Sequence, residues 1–162
     1  MPTAAVSCVV YPMPLPQLMP FAPHPLYFFT ACTARRKSLL ACAAAQETLT
    51  AVWARSLHHD GWAVGRYVLM PDHVHFFARP TGEGKSLTQW HQTWKSLTAR
   101  KLTVGLTCPT PIWQPETFDH ILRSAESYTE KWHYVRQNPV RAGLVPTADD
   151  WPWQGEIEAL EI

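Results

Sequence analysis

A hydrophobic segment interrupted by a turn signal, residues 62–79, constrains the fold more than any other part of this sequence. Residues 62–70 and 73–79 are rich in β-branched and aromatic side chains, which favour strands, and Pro71-Asp72 between them is typical of a tight turn. Two strands joined by so short a turn run antiparallel. The segment therefore predicts a β-hairpin.

The second strand of this hairpin carries two histidines, His73 and His75, separated by one apolar residue. Residues at i and i+2 of a strand project from the same face, so both imidazoles are predicted to point the same way. Two such imidazoles suit a single divalent metal ion. Taken alone, the pair is more often just two histidines on a solvated strand face, so the metal hypothesis depends on the rest of the chain.

Around the hairpin the sequence alternates between strand and helix patterns. Further strands are predicted at residues 26–33 and 112–114, and helices at residues 38–58, 86–102 and 116–137. Because the alternation includes a hairpin, we predict an α+β fold in which helices pack on one antiparallel sheet.

The length of 162 residues predicts a single domain that can bury its own core. Residues 1–25 are rich in proline and are predicted to form a flexible N-terminal arm, followed by the folded domain at residues 26–148. Residues 149–162 form a short acidic tail that contains tryptophan. No apolar run reaches the length of a membrane span, and four scattered cysteines indicate reduced thiols in a cytosol.

The net charge of +1 conceals an asymmetry between the body of the chain and its end. Residues 1–148 carry 14 basic and 8 acidic side chains, whereas the tail carries five acidic side chains and no Lys or Arg. A moderately basic body followed by an acidic tail weakly favours a polyanionic partner.

The predicted third helix has a hydrophobic stripe whose members recur every three or four residues: Phe118, Ile121, Leu122, Ala125, Tyr128, Trp132 and Val135. At about 100° per residue, Tyr134 lies roughly 200° from Trp132 and therefore off the stripe, whereas Tyr128 is predicted to be core. Asn138 follows Tyr134 by four residues, so the phenol and the carboxamide share a surface and could serve as a nucleophile and a metal ligand. A surface tyrosine before an asparagine that ends the helix is the simpler interpretation of this pair alone.

Four segments together resemble one family. They are residues 70–75 (MPDHVH), 113–123 (WQPETFDHILR), 134–145 (YVRQNPVRAGLV) and 150–153 (DWPW). In this order and spacing they are similar to the HUH single-tyrosine transposases of the IS200-like superfamily, and most similar to the branch associated with repetitive extragenic palindromes (REP). The resemblance spans residues 26–153, nearly the whole predicted domain.

The resemblance implies a ferredoxin-like antiparallel sheet of the HUH endonuclease type and a set of site residues. His73, His75 and Asn138 would bind a divalent metal ion, Mg²⁺ or Mn²⁺, and Tyr134 would be the catalytic nucleophile. Asp72 stands where the family also uses Asn, and its carboxylate could hydrogen-bond within the site. The proline-rich arm has no counterpart that we can place in the family.

The chemistry implied is metal-dependent cleavage and rejoining of single-stranded DNA. Attack by Tyr134 on phosphorus would form a 5′-phosphotyrosine and free a 3′-OH, which conserves the bond energy for rejoining. The partner would be single-stranded or hairpin DNA rather than a membrane, in a bacterial cytoplasm and close to the nucleoid. The active unit would be a homodimer or a monomer.

Basic side chains near the predicted site are candidates for contacts with DNA phosphates. They are Arg35, Arg36, Lys37, Lys95, Arg100, Arg136 and Arg141. Trp90 and Trp94, at i and i+4 of the second helix, are predicted to dock that helix on the sheet, and stacking on bases is the alternative.

Two other interpretations remain open at the level of sequence. The chain could be a catalytically silent nucleic-acid-binding module on the same scaffold. It could also be a hydrolytic phosphodiesterase that uses the histidine pair together with a carboxylate, for which Asp72 or Asp119 would be needed.

Overall fold

The computed structural model describes residues 24–160 of the chain. Its strands are β1 (Leu26–Thr33), β2 (Trp62–Leu69), β3 (His73–Pro80), β4 (Trp113–Leu122) and β5 (Gln154–Glu156). Its α-helices are α1 (Ala43–Asp60), α2 (Leu87–Gly105), α3 (Ala125–Arg136) and the single turn α4 (Asn138–Arg141). The predicted proline-rich arm lies outside the described residues, except for residues 24 and 25.

The five strands form one antiparallel sheet in the order β4-β1-β3-β2-β5. The predicted α+β fold is therefore confirmed, and so is the predicted hairpin of β2 and β3. Strand β3 lies in the middle of the sheet, between β1 and β2. Its alternating pattern places Val74, Phe76 and Ala78 in the core and leaves the histidines on the opposite face.

Helices α1 and α2 cover the core face of the sheet. Trp90 and Trp94 of α2 are fully buried there, and both pack against Phe76. The expectation that these tryptophans dock the helix is confirmed, and neither is available for stacking on a base. Helix α2 begins in a capping box, in which the Ser86 hydroxyl accepts from the Gln89 N–H.

Helix α3 packs on the other face of the sheet, which also carries the histidines. The ring of Tyr128 meets Phe77 edge-on with centroids 4.8 Å apart, and Val135 is buried against Val68 and Met70. Tyr128 is therefore part of the core, as the hydrophobic stripe predicted.

The first helix begins later than predicted. Residue 38 was expected to cap it, but the backbone N–H groups of Leu39 and Leu40 both donate to the Pro71 carbonyl, at 2.8 and 2.9 Å. These bonds tie the segment to the β2–β3 turn and keep it out of a helix, which starts only after Cys42.

The prediction of a helix from residue 116 was wrong for its first turns. Residues 113–122 form strand β4, which pairs with β1 through partners such as Thr30 with Phe118 and Tyr27 with Ile121. Phe118 and Ile121, expected in a buried stripe, are 67% and 45% exposed. The apparent helical spacing was overridden by pairing with a strand distant in sequence.

The acidic tail is part of the folded domain. Gln154–Glu156 pairs with β2 as strand β5, and the buried Trp151 indole donates to the Leu69 carbonyl at 2.9 Å. Within residues 24–160, no helix combines the length and apolar character that spanning a membrane requires.

Candidate active site

An open cleft of about 430 Å³ lies between the histidine face of the sheet and the junction of α3 with α4. It is lined by all four residues that the sequence singled out for chemistry: His73, His75, Tyr134 and Asn138. The hairpin brings the two imidazoles to the cleft, and the break between α3 and α4 brings the phenol and the carboxamide.

Both imidazoles are anchored through their Nδ1 atoms. His75 Nδ1 lies 2.8 Å from Thr30 Oγ1, and His73 Nδ1 lies 2.7 Å from Asp72 Oδ1. The second oxygen of Asp72 pairs with Arg36 Nε at 2.9 Å. Partners of this kind orient ligating histidines, because they occupy one ring nitrogen and leave Nε2 for a metal ion.

The His75 imidazole is held in the neutral form. Burial lowers the pKa of His75 to about 3, and the positive charges around it, including His73, Lys131 and Arg141, act in the same direction. A neutral imidazole is the form that binds metal ions, so the site does not need to lose a proton from His75 before binding.

Tyr134 is 61% exposed and lies on the face of α3 that the stripe leaves free. The guanidinium of Arg141 lies 4.2 Å from its ring centroid and donates to its backbone carbonyl at 2.6 Å. Arg141 also donates to Asn138 Oδ1. The amide oxygen predicted as a metal ligand is therefore held by a guanidinium that covers the tyrosine ring.

The donor set of the cleft consists of two imidazoles and one amide oxygen. In the part of the chain that the structure describes, no group of three or more His, Cys, Asp or Glu side chains could hold a metal ion. A donor set of two imidazole nitrogens and one amide oxygen fits a divalent ion that keeps open positions for phosphate oxygens. His73, His75 and Asn138 thus suit the metal that the resemblance implies.

Lys131 is a cleft residue that the sequence analysis left without a role. Its ammonium lies 4.8 Å from the ring centroid of Phe28 and 5.8 Å from that of Tyr134. Among residues 24–160 it forms no ion pair with an acid. Its position three residues before Tyr134 on the exposed face of the helix was the only signal in the sequence.

The basic residues predicted to contact DNA divide into two groups. Arg141 lines the cleft, and Arg36 borders it through Asp72. Arg35 is exposed and Lys37 half-buried in the same turn, next to Arg36.

The remaining basic candidates are engaged elsewhere or lie away from the cleft. The Lys95 ammonium donates to the carbonyls of residues 114, 115 and 116 at 2.9–3.2 Å, and burial lowers the pKa of Lys95 to about 8. Arg100 is exposed on α2, on the opposite side of the sheet from the histidines, and Arg136 pairs with Asp149. Lys95 therefore links α2 to the start of β4, and its ammonium is not free to contact a DNA phosphate.

No protein-family model matches this chain. The chain is 27% identical over 128 residues to the REP-associated tyrosine transposase of Escherichia coli K12, covering 78% of this chain and 73% of that protein. Solved structures of other proteins share the fold. One is a REP-associated tyrosine transposase bound to a REP hairpin, with a TM-score of 0.62 and 24% identity over 80% of this chain and 75% of the other.

The second structure comes from Deinococcus radiodurans R1 and is assigned as a transposase, with a TM-score of 0.54 and 16% identity over 73% of this chain and 93% of the other. At these identities both structures support the α+β fold alone. The curated relative is matched over most of both chains. The predicted resemblance is thereby confirmed: at 27% identity over most of both chains, this chain is similar to a REP-associated tyrosine transposase.

Proposed function

We propose that this protein cleaves and rejoins DNA strands next to REP-type hairpins, with Tyr134 as the nucleophile. The observation that carries the proposal is the composition of one cleft, which is lined by an exposed phenol, two anchored imidazoles and a carboxamide. Its relatives include a transposase whose structure contains a REP hairpin. A hairpin with a short unpaired flank is therefore the substrate that we propose.

His73, His75 and Asn138 would hold the divalent ion. When bound, the ion would supply Lewis-acid polarisation of the scissile phosphate. Two nitrogen ligands favour Mn²⁺ over Mg²⁺ by donor chemistry, since Mg²⁺ prefers oxygen ligands. The amide oxygen of Asn138 has two lone pairs, so it could bind the ion while it accepts from Arg141, whose other N–H groups could donate to a phosphate oxygen.

Tyr134 would attack the scissile phosphorus in line. The new bond joins the phenol oxygen to phosphorus, and the bond from phosphorus to the 3′ oxygen breaks, so that the leaving strand carries away a 3′-OH and the phenol loses its proton. The 5′ end stays attached to Tyr134. Attack by another 3′-OH reverses the same bond changes and joins strands without an external energy source.

Lys131 would neutralise the phosphate during this attack. Its ammonium lies between the rings of Phe28 and Tyr134, within reach of any group that the phenol attacks. A cation at that position favours the additional negative charge of the transition state. Arg35, Arg36 and Lys37, in the turn after β1, would hold the phosphates of the adjoining stem.

The nucleophile and the proposed ligands line one cleft within a single chain. We therefore propose that a monomer is catalytically competent, whether or not the protein also forms a homodimer. Because the relative is a bacterial transposase, the site of action would be chromosomal DNA in the cytoplasm, associated with the nucleoid.

Two observations weigh against the hydrolytic alternative. Asp119 pairs with Phe29 and so faces the opposite side of the sheet from His75. Both oxygens of Asp72 are engaged, one by His73 and the other by Arg36. Neither carboxylate is placed to activate a water molecule in the cleft. The exposed Tyr134 weighs against a silent binding module, because binding alone does not require a phenol beside two histidines.

The deciding experiment is to trap the covalent intermediate. The protein is incubated with a 3′-labelled hairpin that carries unpaired flanks, in Mn²⁺, in Mg²⁺ and in EDTA, and resolved on a denaturing gel. We expect a labelled protein–DNA band that depends on the metal, because the 3′ label stays on the fragment joined to Tyr134. Cleavage without such a band would indicate hydrolysis, and binding without cleavage would indicate a silent module.

A further inference from the structure

We infer that the outer face of strand β4, centred on Phe118 and His120, is a stacking site for unpaired bases that flank the scissile phosphate. This inference rests on the proposed function and extends it, since it assigns a binding surface for the single-stranded part of the substrate. Neither Phe118 nor His120 is among the residues that line the cleft.

The register of the sheet places Phe118 on the same face as the histidines. Phe118 pairs with Thr30, and Thr30 pairs in turn with His75. The bond between Thr30 Oγ1 and His75 Nδ1 shows that these side chains project to one side. With neighbouring strands about 4.8 Å apart, Phe118 lies about 10 Å from His75 across the sheet.

The next row of the sheet repeats this arrangement. His120 pairs with Phe28, and Phe28 pairs with Phe77. Phe28 lines the cleft and stacks on His75 with ring centroids 5.4 Å apart. An aromatic surface therefore continues from the cleft, through Phe28, to the exposed rings of β4.

Phe118 is exposed where burial would be expected. A phenylalanine that is 67% exposed on a strand presents most of its ring to solvent, where a stacked base could cover it. Strand β4 is at the edge of the sheet, and α3 covers the face only further along, where Tyr128 and Trp132 meet Phe77. The uncovered aromatic rings are thus those next to the proposed cleavage site.

Single-stranded DNA matches this surface in both of its chemical parts. Bases stack on exposed aromatic rings irrespective of sequence, while the phosphates need a cation nearby. Lys131 supplies that cation, 4.8 Å from the ring centroid of Phe28. A strand whose phosphate lies at Tyr134 can therefore place neighbouring bases over Phe28 and Phe118.

A second copy of the chain is the competing occupant, because β4 is an edge strand. Pairing of two edge strands would use the backbone of β4 and both of its faces. The exposed aromatic rings of β4, however, lie on the face that carries the histidines, whereas the exposed side chains of the opposite face include Asp119 and Ile121 and its one aromatic ring, Trp113, is buried in the core. This asymmetry favours a ligand that approaches from the cleft.

The test compares binding of two oligonucleotides in EDTA, where cleavage is prevented: a hairpin alone and the same hairpin with unpaired flanks. Phe118→Leu keeps an apolar side chain but removes the aromatic ring, Phe118→Trp keeps stacking, and Ile121→Ala is the matched control on the other face. We expect Phe118→Leu to weaken binding of the flanked hairpin by about 5- to 100-fold. Phe118→Trp and Ile121→Ala should bind it like the wild type, and every variant should bind the bare hairpin equally.

Two further measurements separate the possible outcomes. A 5-iodouracil base in the flank should crosslink to a β4 peptide on irradiation, and light scattering should give the same mass for wild type and Phe118→Leu. Equal binding of the flanked hairpin by Phe118→Leu would overturn the inference, as would a fall in mass without any change in DNA binding. Failure of the wild type to form a covalent adduct would refute the proposed cleavage but leave the binding comparison intact.

Discussion

The Nδ1 atom of His75 lies 2.8 Å from the hydroxyl oxygen of Thr30 on the neighbouring strand. In either tautomer this bond occupies Nδ1 and fixes the plane of the ring, so that Nε2 is the nitrogen left for a ligand. Thr30 belongs to none of the motifs found in the sequence, whereas His75 is part of the histidine pair.

Replacing Thr30 by valine should loosen the metal site while preserving the sheet. Valine keeps the β-branched shape but removes the hydroxyl, so we expect affinity for Mn²⁺ to fall by about 10- to 100-fold. Calorimetric titration with Mn²⁺ measures this loss. Thr50→Val, on α1 far from the cleft, is the control, and an unchanged affinity in Thr30→Val would remove Thr30 from the site.

Replacing His73 by alanine should abolish cleavage without abolishing binding of DNA. The loss of a metal ligand should reduce the cleavage rate by about 100-fold or more, whereas Lys and Arg contacts should still hold the hairpin. His75 should behave similarly in cleavage, but with some loss of stability, because its ring also stacks on Phe28. Gel-shift and nicking assays on the same hairpin separate the two effects, and full cleavage by His73→Ala would refute the metal site.

The two tyrosines of α3 should respond in opposite ways to replacement by phenylalanine. Tyr134 is 61% exposed and Tyr128 only 6%, so Tyr134→Phe should change the free energy of unfolding by less than about 1 kcal/mol and yet eliminate the covalent adduct. Tyr128→Phe should retain the adduct, since its ring is packed on Phe77. An adduct that persists in Tyr134→Phe and vanishes in Tyr128→Phe would mean that the nucleophile is Tyr128.

Two lysines, Lys95 and Lys131, should separate stability from activity. Lys95→Met removes a donor to three backbone carbonyls, so the free energy of unfolding should fall by about 1–3 kcal/mol while cleavage by the folded protein is unchanged. Lys131→Met should leave stability nearly intact but slow cleavage by about 10- to 100-fold. Urea unfolding and adduct formation measure both quantities, and Lys131→Arg should restore part of the rate.

His91 should make the fold sensitive to acid. Its Nδ1 accepts from the Trp94 indole at 2.9 Å, and burial lowers the pKa of His91 to about 4. Because the pKa in the unfolded chain is about 6.5, the unfolded state binds the proton first, and this contribution to stability is lost as the pH falls from about 6.5 towards about 4.

For His91 alone, the free energy of unfolding should change by at most about 1.4 kcal/mol per pH unit. Urea unfolding of the wild type and of His91→Gln is measured from neutral pH down to about pH 4. The difference between the two proteins separates the contribution of His91 from that of the other histidines. The variant should show the shallower dependence on pH, and identical slopes would contradict the assignment to His91.

The elements that local patterns define were predictable from the sequence. Strict alternation placed β3 and the orientation of His73 and His75, and the angular position of Tyr134 on its helix put it off the buried stripe. What failed was the start of α3, because Phe118 and Ile121 happen to follow helical spacing while their backbone pairs with β1. Strand pairing between segments distant in sequence leaves no local signal.

The same limit explains what was missed at the site. The contacts of Lys131 with Phe28, and of Arg141 with Asn138, depend on how α3 and α4 dock on the sheet. Periodicity identifies the face of a helix but not the strand that it meets. Lys95 was misjudged for the same reason, because its carbonyl partners at residues 114–116 belong to a strand that was predicted only as far as residue 114 and was not predicted to contact α2.

The central position of β3 has a consequence for how this protein can change during evolution. Alternate residues of that strand serve the core and the cleft, so a substitution at Phe76 or Val74 shifts the backbone that carries the histidines. Strand β4 lies at the edge of the sheet, and most of its residues are exposed, so they contribute neither to the core nor to the cleft. Substitutions in β4 can therefore change how strongly DNA is held without displacing the histidines, whereas substitutions in β3 act on the core and the cleft together.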